Sequence, residues 1–235
     1  MKYNNLEKLD IILDNEKKIL FKNYEQFFLE YNKNINLISK NDEQVIFEKH
    51  IFDSLAFNLF LKKYKLNENI CVMDIGTGGG FPSFPLALNY SDMKITAVDS
   101  IKKKINFINV TAEKLNCKNI ITKCTRVEDL SIDLKSTFDV VVTRAMAELR
   151  MILEYAIPYI KVGGYFVAYK SIKTDEEVEN AKNALKTLNS RVVDKIEYSL
   201  PIENENKRVL LVIKKEKEVP SSYPRKNGLV KKKPL

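Results

Sequence analysis

Apolar positions in the first third of the chain recur at helical spacing. Leu6, Leu9, Ile12 and Leu13 form one set, and after Asp14 the pattern resumes through Ile19, Leu20, Phe27, Phe28 and Tyr31, the three-to-four-residue period of an amphipathic helix. Asn41 followed by Gln44 reads as a capping pair that opens a third stretch, carried by Val45, Ile46, Phe47, Ile51, Phe52, Leu55, Leu59 and Phe60. No glycine or proline interrupts these stretches.

From Ile70 onward, short apolar runs alternate with amphipathic segments. Strands are predicted at Val72 to Ile75, Ile95 to Val98, Ile120 to Lys123, Phe138 to Thr143 and Gly164 to Tyr169. Helices are predicted at Pro82 to Leu88, Lys102 to Leu115, Glu148 to Tyr159 and Asp175 to Leu188. Two further strands, Val192 to Tyr198 and Arg208 to Ile213, follow with only a short connection between them. Strands separated by helices imply a parallel sheet with right-handed crossovers, and the closing pair implies an antiparallel hairpin at its edge. The expected fold class is therefore α/β: a Rossmann-like, mostly parallel sheet of the class I methyltransferase type, with an antiparallel C-terminal edge and a helical segment before it. The corresponding division is a helical segment over 1–66, a core over 67–216 and a tail over 217–235.

Composition adds little until charge is located. Hydrophobic residues at 45% and charged residues at 30% are those of an ordinary globular chain. No uncharged apolar run approaches the ~20 residues that span a bilayer, and Met1 to Asn5 lacks the apolar stretch of a signal peptide, so a cytoplasmic protein with no membrane partner is expected. Cys71, Cys117 and Cys124 form no C-x-x-C pair, which argues against zinc or redox work, and no metal site is expected. The net charge is +8, and from Lys214 to the end eight basic residues face two acids, so six of those eight charges lie at one end. A basic end on a balanced body fits contact with a polyanion. It fits a solvated, frayed tail equally well.

Candidate chemistry centres on Val72-Met73-Asp74-Ile75-Gly76-Thr77-Gly78-Gly79-Gly80-Phe81-Pro82, which joins the first strand to the first crossover helix. Glycines there let the backbone turn and approach a ligand, and the helix start that follows offers unpaired N–H groups. The dinucleotide fingerprint G-x-G-x-x-G, counted from Gly76, would need a glycine where Phe81 stands. The spacing is instead D-x-G-x-G-x-G through Asp74, Gly76, Gly78 and Gly80, which looks like the S-adenosylmethionine loop of class I methyltransferases. Asp99 ends the second strand, where an acid can accept both ribose hydroxyls or cap the helix starting near Ile101.

Six segments in order then resemble the RsmG (GidB) family of bacterial 16S ribosomal RNA guanine-N7 methyltransferases. They are Asn32 to Ser39, His50 to Leu55, Gly80 to Leu86, Arg126-Val127-Glu128, Thr143-Arg144-Ala145, and Tyr223 to Lys226 with Lys232 to Leu235. The resemblance covers nearly the whole chain. It implies S-adenosylmethionine as cofactor and 16S rRNA, or a precursor of the small ribosomal subunit, as partner. It further implies that Gly76 and Phe81 meet the cofactor at the loop, that Val127 and Glu128 bracket the adenine, and that Arg144 lies beside the cofactor, as one of its contacts, near the presumed target pocket. Read alone, Phe81 also fits a core position, Glu128 a helix-start acid and Arg144 an ion-pair partner. The family often has a glycine where Ser83 stands, and prolines where Asn227 and Val230 stand.

The chain lacks a Pro-Pro-aromatic signature after the fourth strand and a Pro-Cys pair, the devices for exocyclic amines and for pyrimidine C5. Both absences fit guanine N7, whose lone pair needs no proton removed, so no general base is named and Arg144 is the nearest catalytic candidate. Arg126, Lys170, Arg225 and Lys226 are the expected RNA contacts, and the protein is expected to act as a monomer. Lys170 equally fits a solvated strand end. His50, the sole histidine, sits beside Phe47 and Phe52 and reads first as structural. Three other readings share the pattern: a nicotinamide-dependent enzyme, a non-catalytic ribosome-assembly factor that keeps the fold, and a methyltransferase for proteins or small molecules, which the basic tail and the family motifs disfavour.

Overall fold

The computed structural model describes residues 2–144, 146–202, 207–226 and 228–235; Ala145 of the Thr143–Ala145 segment and Asn227 lie outside them. Seven strands among these residues form one sheet: β1 (Cys71–Ile75), β2 (Lys94–Asp99), β3 (Ile120–Cys124), β4 (Phe138–Arg144), β5 (Ile160–Ser171), β6 (Ser190–Ser199) and β7 (Lys207–Lys215). Their order is β3-β2-β1-β4-β5-β7-β6. The first five are parallel, and β7 runs antiparallel to both β5 and β6. This is the expected mostly parallel sheet with an antiparallel edge. Because β2 lies on one side of β1 and β4 on the other, the strand order reverses at β1, which opens a crevice at the carboxyl ends.

Each central strand buries both faces, so alternate residues feed two cores. Val72, Val140, Val142, Val167 and Val212 face one, and Met73, Val141, Phe166, Ala168 and Leu211 the other. The first core is closed by the chain's amino-terminal segment: a 3₁₀ turn Lys2–Leu9, α1 (Asn15–Ile35), α2 (Lys40–Glu43), a π-type turn Phe47–Phe52, α3 (Asp53–Leu55) and α4 (Phe57–Lys63). Between α1 and the sheet lies α5 (Ser83–Asn89), buried along its whole length. A helix covered on all sides must be apolar all round, as Phe84-Pro85-Leu86-Ala87-Leu88 is. Tyr24 of α1 stacks on Phe84 at 5.0 Å and 6°, adding about 1 kcal/mol beyond the area it buries. α6 (Lys102–Lys114) completes this face, and α7 (Leu149–Ala156), α8 (Asp175–Asn180) and α9 (Lys182–Thr187) belong to the opposite one.

Four boundaries depart from the periodicity. The first helical set ends at Leu9: Asp10 takes φ 57°, and the chain runs extended with Ile11 and Leu13 buried and Ile12 88% exposed. The Asn58 amide fixes this turn by donating to the Leu9 carbonyl at 2.7 Å. The cap of the short helix is Ser39, whose Oγ accepts from Asp42 N at 3.2 Å, and not Asn41. Pro158 stops α7 at Ala156, turning the rest of that stretch into a 3₁₀ turn. The stretch from Asp175 to Leu188 breaks into α8 and α9 around buried Ala181.

The carboxyl-terminal segment is folded. Arg225 places Nε and Nη2 on the two oxygens of Glu154 at 2.8 and 2.6 Å, and Glu154 lies on α7 with no exposed surface. The short helix α10 (Leu229–Lys232) then buries Val230.

Candidate active site

The loop after β1 is tied to β2. The Gly76 and Thr77 amides donate to the Val98 carbonyl at 2.9 and 3.0 Å, and the Gly78 amide donates to Asp99 Oδ2 at 3.0 Å. Asp99 Oδ1 accepts from Ile101 N at 2.9 Å. Asp99 thus braces the residue that precedes α6 and does not cap the helix, whose N-cap Ile101 has no side-chain cap bond; one lone pair per oxygen is used, and the carboxylate still lines a cavity. Gly76 holds φ +73°, and a Cβ there would meet the Met146 side chain at 3.2 Å. Only glycine takes this backbone without strain beside that wall.

This cavity, about 320 Å³, opens at the carboxyl ends of β1 and β2 and is lined by Gly76, Asp99, Arg126, Val127, Glu128 and Tyr155, among others. Val127 is held by its carbonyl, which accepts from the buried Tyr159 hydroxyl at 2.6 Å. An acid at the second strand's tip, an apolar wall of Val98 and Val127, and a close-approach glycine suit a nucleoside with a free ribose diol. Phe81 is 3% exposed, so nothing at that position resembles the third dinucleotide glycine.

A second cavity, about 430 Å³, lies over the ends of β4, β5 and the start of β7; its walls include His50, Asp53, Arg144, Tyr169, Lys170 and Arg208. Arg144 ends β4 and is held from three directions. Its Nη1 donates to the Lys49 carbonyl at 3.1 Å and to Asp53 Oδ2 at 3.2 Å, and Nη2 meets His50 Nδ1 at 2.7 Å. The guanidinium also lies over the Phe81 ring at 5.1 Å, and the His50 ring stacks on the same phenyl at 4.9 Å. Arginine has no lone pair to offer, so Nδ1 accepts and the imidazole hydrogen sits on Nε2. Burial and the neighbouring Arg144 charge push the His50 pKa down to about 3, keeping the ring neutral.

Asp74 lies behind the loop, fully buried. Its Oδ2 accepts from the Ser83 hydroxyl at 2.6 Å and the Ser83 amide at 3.3 Å, while Oδ1 has no partner among the described residues. Burial pushes its carboxyl up to about 6 against the hydrogen bonds from Ser83 and Thr77. Ser83 thus supplies a side-chain bond that a glycine at this position could not.

Of the residues expected at the site, Gly76, Asp99, Arg126, Val127 and Glu128 share the first cavity, and Arg144 and Lys170 the second. Gly78 supports the first through Asp99, and Phe81 lies beneath Arg144 and His50. Lys170 pairs with Glu177 at 2.7 Å. Arg225 and Lys226 line neither cavity, and Arg225 is engaged by Glu154. Asp53, Tyr169 and Tyr198 are the residues that sequence reasoning missed as a group. Asp53 lay inside a segment matched to the family, but its partners are 91 and 145 positions away, and no periodicity carries such a link.

The strand order, the glycine loop at the reversal point and the acid ending β2 together define the fold of class I methyltransferases. Solved structures agree at the level of fold. A SAM-dependent methyltransferase from Aquifex aeolicus superposes with TM-score 0.53 at 21% identity, over 74% of this chain and 95% of that one. TYW2 from M. jannaschii, solved with AdoMet, gives 0.51 at 17% identity, over 63% and 68%. In sequence, the model for the family described as rRNA small subunit methyltransferase G matches residues 17–209. Ribosomal RNA small subunit methyltransferase G of Streptococcus pneumoniae is 38% identical over 99% of this chain and 98% of its own length, and that of Streptococcus pyogenes 37% over the same shares. The chain belongs to the rRNA small subunit methyltransferase G family.

Replacing Asp99 with alanine removes the carboxylate from the wall of the first cavity and frees the Gly78 amide. Charge-assisted bonds of this kind are worth about 1.5–3 kcal/mol each, so calorimetric titration of Asp99→Ala with S-adenosylmethionine should find affinity at least tenfold weaker (~1.4 kcal/mol). Unchanged affinity would remove Asp99 from the cofactor site.

Proposed function

We propose that this protein transfers the methyl group of S-adenosylmethionine to N7 of a guanine in 16S rRNA, in the cytoplasm, as a monomer acting on the small ribosomal subunit or its precursor. The observation that carries this reading is the pair of cavities flanking the reversal point, with Asp99 in one and a triply held Arg144 in the other. The cofactor supplies an electrophilic methyl on a sulfonium. Everything else asked of the chain is alignment, because guanine N7 carries an in-plane lone pair and no hydrogen.

Gly76, Asp99, Val127 and Glu128 are the residues we assign to holding the cofactor, with Gly78 and Asp74 shaping the loop and Phe81 supporting it from below. Arg144 has two hydrogens left after its bonds to Lys49, Asp53 and His50, one on Nε and one on Nη2. Directed at the guanine O6, they would select the purine and leave N7 free to react. Alignment of this kind supplies about 7–11 kcal/mol of barrier reduction in well-oriented systems, so no general base is required. Arg126 on the wall of the first cavity, Lys170 on that of the second, where it pairs with Glu177, and Lys226 on the folded tail are assigned to phosphate contacts. Arg225 we assign instead to anchoring that tail, since Glu154 takes both ends of its guanidinium fork.

The test is methyl transfer from labelled cofactor to 16S rRNA and to small subunits, followed by mapping of the modified base and titration with NAD. Label at a guanine N7 with no NAD binding is the expected result. Transfer to another base, or to none, overturns the reading.

A further inference from the structure

Asp53 belongs to the helical segment that precedes the sheet, yet it touches the ends of two strands. Its side chain is 7% exposed. Oδ1 accepts from the Tyr198 hydroxyl, near the end of β6, at 2.6 Å, and Oδ2 accepts from Arg144, at the end of β4, at 3.2 Å. One residue on, the Ser54 carbonyl accepts from the Tyr169 hydroxyl of β5 at 2.8 Å. One turn of helix thus binds three strand ends at the wall of the cavity.

Each alternative duty for this carboxylate meets an obstacle. Both oxygens are engaged, so it offers no idle base. Tyr198 is pushed well above the usual tyrosine range by burial and by Asp53, so its hydroxyl stays a donor. A nearly buried carboxylate gains most from charge-assisted bonds with fixed directions, and the Arg144 fork has such a direction. With Lys49 O and His50 alone, the guanidinium could rotate about its long stem; the Asp53 bond to Nη1 removes that freedom. We propose that Asp53, braced by Tyr198, is the positioning residue for Arg144, fixing which guanidinium hydrogens face the target base. This rests on the function proposed above, and it assigns the first helical segment a part in the reaction beyond covering the sheet.

The experiment uses the full chain with small ribosomal subunits. Asp53→Asn keeps the shape and removes the charge. Its kcat should fall about 10–100-fold, as for misplacement of an orienting group, with the calorimetric affinity for S-adenosylmethionine within about twofold. Tyr198→Phe, which removes only the brace, should lower kcat about 3–10-fold. In an Arg144→Lys background, Asp53→Asn should lower kcat less than about twofold further, because its effect passes through Arg144. Equal losses in both backgrounds would overturn the proposal, as would an Asp53→Asn enzyme of normal kcat. Should Asp53→Asn fail to fold, Tyr198→Phe in the two backgrounds decides by the same rule. If the unaltered protein transfers no methyl group, the functional reading falls and this proposal with it; if it does so and the variants behave independently, only this proposal falls.

Discussion

An Arg144→Ala enzyme should bind S-adenosylmethionine within a few-fold of the unaltered protein and methylate RNA at least about 100-fold more slowly, the cost of losing an orienting group. The separation follows from where the side chain points. Its bonds run to Lys49, Asp53 and His50 in the second cavity, whereas Gly76, Asp99, Val127 and Glu128, the residues proposed to hold the cofactor, line the first. Alanine also strands Asp53 as a nearly buried charge, so Arg144→Lys should be measured beside it. Lysine keeps a cation opposite Asp53 but cannot reproduce three directed bonds, and most of the rate loss should persist. A variant slow only because its cofactor affinity collapsed would place the Arg144 side chain in the cofactor cleft instead. The pH profile carries a second check. With His50 held neutral down to about 3 by burial and Arg144, the only histidine leaves no break in the rate near pH 6.5. His50 also sets a stability slope. Its folded value lies below the unfolded 6.5, so stability is complete above pH 6.5 and is lost as pH falls toward 3. Asp74 acts oppositely: its value is raised to about 6, so its ionisation costs stability as pH climbs from 3.8 through 6.

Much of this site is legible in the residues because the first cavity is built locally. A strand, a glycine turn and a helix start are contiguous, and the acid ending β2 falls where the next crossover returns. Spacing therefore finds Gly76 and Asp99, and the resemblance adds Val127 and Glu128. The second cavity is built from long-range contacts. His50 and Asp53 arrive from the amino-terminal helices, Arg144 from β4, Tyr169 from β5 and Arg208 from β7. Periodicity reports which face of an element is buried, but it does not report what faces it. The same limit explains the opening segment, where Leu6, Leu9, Ile12 and Leu13 have helical spacing. What ends that helix is the Asn58 side chain, 49 residues on, bonded to the Leu9 carbonyl. It also explains Lys215, a lysine with no exposed side-chain surface. Its amine donates to the Ile160 carbonyl at 2.8 Å and to Ser136 Oγ at 3.0 Å.

The tail is the clearest case of charge read correctly as composition and incompletely as structure, and it yields the other large effect. Arg225→Met should destabilise the protein by about 3–5 kcal/mol, because Glu154 would be left buried without its counter-ion, keeping only the bond from the backbone amide of position 225 to its Oε1. Glu154→Leu should cost less. The Arg225 side chain is 24% exposed, so once released it can turn to water, while Glu154 has no such route. The double variant should recover most of the loss, since two apolar side chains satisfy each other where one lone charge cannot. Denaturant unfolding of the three variants measures this order directly. If Arg225→Met and Glu154→Leu cost the same, or either costs less than about 0.5 kcal/mol, the pair is a surface contact and not an anchor. The order also bears on RNA. An anchored tail presents Lys226, Lys231 and Lys232 at fixed positions, so undocking it by Arg225→Met should weaken subunit binding more than loss of a single charge does. Methylation of a short RNA reaching only the cavities should be spared. A freely trailing basic tail would give the same loss for Arg225→Met as for Lys231→Gln.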